Sequence, residues 1–155
     1  MTENDFYKSL LSKAMNLCSK REYCCHDIRE KLLTWGISKN DSKRIISELT
    51  SERFIDEARY ANAFVKDKFK YNKWGKVKIA AHLKIRQIPE HIIRSAIDSI
   101  DDQEYLNVIR NLISLHKKAV KAKNQYDLKG KLLRYGLSKG FESSLLYEIL
   151  NDTEE

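Results

Sequence analysis

The octapeptide Lys31–Ser38, KLLTWGIS, returns as Lys131–Ser138, KLLRYGLS, and a looser copy, HLKIRQIP, lies between them at His82–Pro89. The matching leucines Leu32, Leu83 and Leu132 are 51 and 49 residues apart, and downstream Ile46, Ile97 and Leu146 correspond, as do Leu49, Ile100 and Ile149. Recurrence at this period marks a repeat architecture, in which each copy is one supersecondary unit. Around each copy the apolar residues fall three and four apart, so the unit is helical. Each copy reads as three helices with a tight turn between the second and third. A unit this small is marginal alone, so neighbouring units must lend each other stability. The expected fold is all-α: three tandem three-helix repeats, about nine helices, in an elongated, curved row. The expected boundaries are 1–55, 56–101 with a basic character, and 102–155 with a long first helix and an acidic tail.

Taken in order, Tyr7, Leu10, Leu11, Ala14, Leu17 and Cys18 mark the apolar face of a first helix, and a second runs from about Cys25 to Trp35. Gly36 stands where a helix ends in the left-handed conformation. Ser38 with Asp41 forms an acidic variant of the capping box, opening a third helix with Ile45, Ile46 and Leu49 inward. Asp56 reads as the N-cap of a fourth, with Phe54 and Ile55 in the turn before it. A fifth carries Val77, Ile79, Ala80 and Leu83; Pro89 opens a sixth with Ile92, Ile93, Ala96, Ile97 and Ile100. In this middle copy Gln87 replaces the helix-ending glycine, where a left-handed backbone costs a residue with a Cβ about 1 kcal/mol. A long seventh helix is expected over Gln103–Lys123. An eighth holds Leu128, Leu132 and Tyr135 and is stopped by Gly136, and a ninth holds Phe141, Leu145, Leu146 and Ile149. Residues 151–155 form a polar tail.

Charge is segregated along the chain. The formal net charge is +7, yet Val65–Arg94 and His116–Gly140 each carry +7, so the remainder is acidic by the same amount. Such segregation usually marks a surface that meets something anionic, the alternative being solvated helix faces that serve solubility. Lys66, Lys68, Lys70, Lys73, Lys76 and Lys78 interleave with Phe69, Tyr71 and Trp74, a pattern suited to phosphates and stacked bases. The spacing of Phe69 and Trp74 favours the buried side over stacking. Lys117, Lys118, Lys121 and Lys123 form a second candidate patch at the end of the long helix, where lysines also complement the helix dipole without any ligand.

Other chemistry has little support. Cys24, Cys25 and His26 are adjacent and cannot readily converge with Cys18 on one tetrahedral centre, so these read as half-buried cysteines and no metal is expected. His82, His91 and His116 lie on separate helices without a partnered nucleophile. No Gly-rich phosphate loop, nucleophile elbow or carboxylate cluster occurs, so neither catalytic residues nor cofactor are expected. No run of about 18 apolar residues is present, so no membrane partner is expected. The acidic start lacks a leader pattern, and three cysteines make no disulfide framework, which suits a reducing cytoplasm.

Three stretches resemble one known family. They are Arg21-Glu22-Tyr23 leading into Ile28–Leu32 and Gly36-Ile37; Phe54-Ile55-Asp56-Glu57-Ala58-Arg59-Tyr60-Ala61 with Phe64-Val65; and Trp74–Ile79 with Leu83 and Ile88-Pro89. With the triple layout they are similar to the RecX family, bacterial regulators of the RecA recombinase. The match covers nearly the whole chain and weakens after Asp101. Cys24 stands where the family often has a serine cap, Glu57 where a second Asp is common, and Gln87 where Gly is usual. The resemblance implies a non-enzymatic modulator in DNA repair and the SOS response. Such proteins lodge in the groove of the RecA–single-stranded DNA filament and inhibit its ATPase, strand exchange and co-protease activities. It implies the RecA filament as partner, with single-stranded and, secondarily, double-stranded DNA, and a monomeric protein. The ten lysines above become candidate contacts. Phe54, Asp56, Arg59, Tyr60 and Phe64 become residues of the repeat junction. The alternative is a stand-alone helical DNA-binding module, in which Val77–Arg86 and Glu90–Ile100 act as a helix-turn-helix pair.

Overall fold

In the computed structural model, residues 2–152 are described; Thr153, Glu154 and Glu155 of the polar tail lie outside them. Among the described residues the chain is all α-helical, with nine helices. These are α1 (Glu3–Lys20), α2 (Cys25–Thr34), α3 (Lys39–Ser51), α4 (Glu57–Lys70), α5 (Lys76–Ile85), α6 (Glu90–Asp98), α7 (Asp102–Ala119), α8 (Gln125–Ser138) and α9 (Ser143–Asp152).

The helix starts follow local chemistry. Thr2, Ser38, Asp101 and Asn124 each accept a hydrogen bond from the backbone N–H three residues on, capping α1, α3, α7 and α8. Asp56 does the same for α4, Arg59 N donating to its Oδ1 at 3.0 Å. Each such cap satisfies one of the free donors of a first turn. At Ser38 the bond is one-way, because the Asp41 carboxylate pairs with Arg44 at 3.2 Å. Cys24 precedes α2 without a side-chain cap bond.

The tight turn between second and third helices is the same in all three copies, but not in the register that sequence identity suggests. At Gly36, φ is 96°, Gly36 N donates to Leu33 O and Ile37 N to Leu32 O. Gln87 repeats this with φ 60°, Gln87 N donating to Lys84 O and Ile88 N to Leu83 O. In the third copy the left-handed residue is Gly140, φ 92°, with Gly140 N donating to Leu137 O and Phe141 N to Gly136 O. This paired bonding closes a helix on a left-handed residue. Gly136 therefore does not stop α8. It lies inside the helix and is buried, and a Cβ there would fall 2.4 Å from Leu146 Cδ2. The glycine is needed for the close approach of α8 to α9, and α8 runs on to Ser138.

The seventh helix also departs from expectation, ending at Ala119 instead of near Lys123. Val120 is extended at φ −87°, ψ 140°. The connection is held from the other side: Asp127 Oδ2 accepts from Lys123 N at 3.0 Å, and Lys131 Nζ reaches Asp127 at 3.3 Å and Lys121 O at 2.6 Å.

Two compact units result, one holding the chain to Ala63 with Leu83–Ile93, the other Phe64–His82 and the chain from Arg94 onward. The core of the first includes Leu10, Ala14, Tyr23, Ile28, Leu32, Ile37, Ile45, Ile46, Leu49 and Ile55. The second is centred on Tyr105, whose ring lies 5.8 Å from Phe69 and 5.7 Å from Phe141, with Ile109, Ile113, Leu132, Leu146 and Ile149 also buried.

Candidate nucleic-acid interface

The basic stretch Lys66–Lys78 is held in place by glycine and tyrosine. Gly75 N donates to Lys139 O at 2.7 Å, and Val77 N to Gly140 O at 3.0 Å. A Cβ on Gly75 would lie 2.2 Å from Gly140 O, so only glycine permits the approach. Lys76 N donates to the Tyr105 hydroxyl at 3.0 Å, and that hydroxyl donates a short bond to Glu142. Burial and the Glu142 hydrogen bond push the Tyr105 phenol pKa well up, so it remains a donor across the physiological range. Lys139 Nζ donates to Asn72 O at 3.0 Å, fixing the turn after α4.

On this support the six lysines separate into two sets. Lys68 is half-buried, 5.1 Å from the Trp74 ring and 5.6 Å from Phe64, with Asp67 at 3.9 Å. Lys78 covers Trp74 at 4.6 Å; Lys76 covers Tyr105 at 4.5 Å and lies 3.8 Å from Asp102. Ammonium groups so placed are held by the ring quadrupole. Lys66, Lys70 and Lys73 are exposed, the first two one turn apart on α4 and Lys73 in the following connection at φ 57°. Of the aromatic residues, Phe69 is buried, and Trp74 is half-buried against Phe64 at 6.4 Å and His82 at 4.5 Å. Tyr71 is 72% exposed with Lys70 5.6 Å from its ring, so it is the ring able to stack on a base.

The second patch is split by the end of α7. Lys117 and Lys118 lie in its last turn, whereas Lys121 and Lys123 belong to the connection pinned by Asp127. Tyr126, in the first turn of α8, is 90% exposed. The sequence signal for it was a lone aromatic in a polar, lysine-rich segment.

Of the proposed junction residues, Phe54, Asp56, Arg59 and Tyr60 lie in the first unit and Phe64 in the second. Arg59 pairs with Glu22 and donates from Nη2 to the carbonyls of Arg53 and Phe54, at 3.1 and 3.4 Å. Arg53 itself is left-handed at φ 63°. Tyr60 is buried, Phe54 half-buried against the first core, and Phe64 half-buried. Cys24 is buried, which pushes its thiol pKa up to about 12; burial next to Glu57 moves Cys25 up to about 11. Among the described residues no three His, Cys, Asp or Glu side chains converge as metal ligands, and no helix is long and apolar enough to cross a membrane.

Residues 56–97 match the family model described as RecX, second three-helix domain. The Regulatory protein RecX of Clostridium acetobutylicum is 30% identical over 155 residues, covering 97% of this chain and 71% of the relative. The chain belongs to the RecX family. The RecX of Lactobacillus delbrueckii subsp. bulgaricus is 26% identical over 133 residues, and the matched region spans about half of it (49%). The fold is that of solved RecX structures. The crystal structure of RecX from Lactobacillus salivarius superposes with a TM-score of 0.83 at 18% identity, covering 97% of this chain and 98% of the other. The crystal structure of another regulatory protein RecX gives a TM-score of 0.85 at 21% identity, covering 94% of this chain and 71% of the other.

Proposed function

We propose that this RecX-family chain is a non-enzymatic, cytoplasmic monomer that binds the RecA–single-stranded DNA filament and inhibits RecA ATPase, strand exchange and co-protease activity. Its helix triplets, 1–55, 56–101 and 102–155, would act as successive modules following the filament. The observation that carries this reading is the exposed set Lys66, Lys70 and Lys73 beside exposed Tyr71, raised on an α4–α5 segment clamped by Gly75 and Tyr105. Cations on a fixed support can replace phosphate counterions, and the adjacent ring favours unpaired bases. Lys68, Lys76 and Lys78 support that surface through their rings, and Lys117, Lys118, Lys121 and Lys123 form a secondary contact.

The test is RecA-catalysed ATP hydrolysis on single-stranded DNA. Wild-type chain should depress turnover at stoichiometric amounts or below. The combined change Lys66→Glu, Lys70→Glu and Lys73→Glu should raise the concentration needed at least tenfold. Unchanged turnover with wild-type chain and intact filaments would reject the reading. Tight, salt-sensitive binding to naked DNA without any effect on RecA would favour the stand-alone DNA-binding module instead.

A further inference from the structure

Lys13, Lys20, Arg21 and Lys31 of the first unit gather on one face of the α1–α2 pair. Lys13 and Lys20 are exposed on α1, seven residues apart, which is about 10 Å along the axis and within about 20° of one edge. The edge of α2 that meets Lys13 carries Lys31 and, one turn on, Trp35. Lys13 Nζ lies 4.1 Å from the Trp35 ring centroid. The Arg21 guanidinium lies 4.2 Å and Lys31 Nζ 5.9 Å from the Tyr23 ring centroid, so one ring gathers two cations from separate parts of the chain.

None of these cations is ion-paired among the described residues. The carboxylates nearest in sequence are engaged or turned away. Glu22 pairs with Arg59, Asp27 with Arg86 and His26, and Glu30 lies about 100° around α2 from Lys31. The rings hold the ammonium and guanidinium groups in place without neutralising them. Lys13, Lys20 and Arg21 remain exposed, whereas Lys68, Lys76 and Lys78 over their rings are half-buried. Charge counting conceals this face, because the chain outside its two basic stretches is acidic.

Fixed, unneutralised cations on one face call for a polyanion, and what the face lacks selects which one. A protein interface is anchored by apolar or aromatic side chains, and single-strand binding by rings on which bases stack. No large apolar side chain of α1 or α2 is exposed among the described residues, and Trp35 and Tyr23 lie beneath cations. Duplex DNA needs neither, since its backbone presents one charge per about 1.7 Å of axis. From unpaired cations on a face without an anchor, we infer that α1–α2 binds the phosphate backbone of duplex DNA, independently of base sequence. The site shares no residue with the α4 lysine set, and it does not depend on filament binding.

The full chain is titrated by anisotropy against a fluorescein-labelled duplex of about 20 base pairs, a second of unrelated sequence, and an oligothymidylate, at several salt concentrations. Both duplexes should bind alike. The combined change Lys13→Gln, Lys20→Gln and Arg21→Gln should weaken them at least tenfold. It should also make the slope of log K against log salt shallower by about 3, at roughly 0.9 per phosphate. Oligothymidylate binding should change less than about twofold, since no ring is lost. Lys20→Glu, at an exposed position, should alone weaken the duplex severalfold with helical circular dichroism retained, which separates lost contact from lost folding. No duplex binding by the wild-type chain, unchanged affinity in both variants, or an equal loss for oligothymidylate overturns the inference. So does displacement of the duplex by a glutamate decamer at equal charge concentration, since the occupant would then be an acidic protein. None of these readouts uses RecA, so they stand or fall apart from the filament reading.

Discussion

At the scale of single residues, the most informative group is a carboxylate that lacks the partners its position calls for. Glu57 stands one residue after the Asp56 cap, and its burial raises its pKa above the usual carboxylate value, a shift only partly offset by its hydrogen bond with Cys25. One of its oxygens, Oε2, is buried with no hydrogen-bond partner among the described residues. A raised folded-state pKa means that the native protein binds this proton more readily than the unfolded chain does. Its contribution to stability is therefore fully present below the unfolded pKa and is lost as pH rises through the folded value. Replacing the charge by an amide removes that loss. Glu57→Gln should accordingly be more stable than the parent in urea titrations at pH 7, and the difference should disappear below about pH 4, the ordinary carboxylate range. A variant less stable at pH 7 than the parent would show that the carboxylate is satisfied.

At the scale of elements, the two departures from glycine's usual place make opposite predictions. Gln87 occupies a left-handed turn that Gly36 and Gly140 occupy without strain. Gln87→Gly should raise stability by up to about 1 kcal/mol, the steric relief outweighing glycine's greater unfolded entropy. Gly136 is the reverse case. Helix propensity alone predicts a gain of about 1 kcal/mol for Gly136→Ala. The new methyl would meet Leu146, which is fully buried and has no room to yield, and overpacking of this kind costs about 1–3 kcal/mol. Chemical denaturation should therefore show Gly136→Ala destabilised, and a stabilised variant would mean that α8 and α9 part easily. The contrast also shows what sequence carries. Ser38, Asp56 and Gly36 were legible because caps and left-handed turns depend on neighbours a few residues away. Gly136 was not, because a glycine that admits another helix looks the same in sequence as one that ends its own, and identity with Gly36 pointed the wrong way. The end of α7 was missed because it depends on Asp127 and Lys131, beyond the stretch whose periodicity defined the helix. The placement of Lys76 over Tyr105 required helices far apart in sequence, which no local pattern brings together.

At the scale of the molecule, the question is which of its 29 basic side chains against 22 acidic ones would make the proposed anion-binding surface. The basic stretches were plain in sequence, and family membership supports the regulatory reading, but charge count alone weights all lysines equally. The structure distinguishes them: Lys68 and Lys78 lie over Trp74 and Lys76 over Tyr105, whereas Lys66, Lys70 and Lys73 are exposed. Each phosphate neutralised on a single strand contributes about −0.7 to the slope of log K against log salt. If the three exposed lysines make the contacts, replacing all three by alanine should make the slope for a single-stranded oligonucleotide shallower by about 2. Their stability should change by less than about 0.5 kcal/mol, as for surface substitutions generally. Lys68→Ala and Lys78→Ala should do the opposite, leaving the slope nearly unchanged while costing about 0.5–1 kcal/mol of stability through the lost ring contacts. Salt titrations by anisotropy, paired with urea unfolding, separate the two sets. Equal slopes for all the variants would mean that the partner of this face is protein and not nucleic acid, and the proposed contact would then be with carboxylates in place of DNA phosphates.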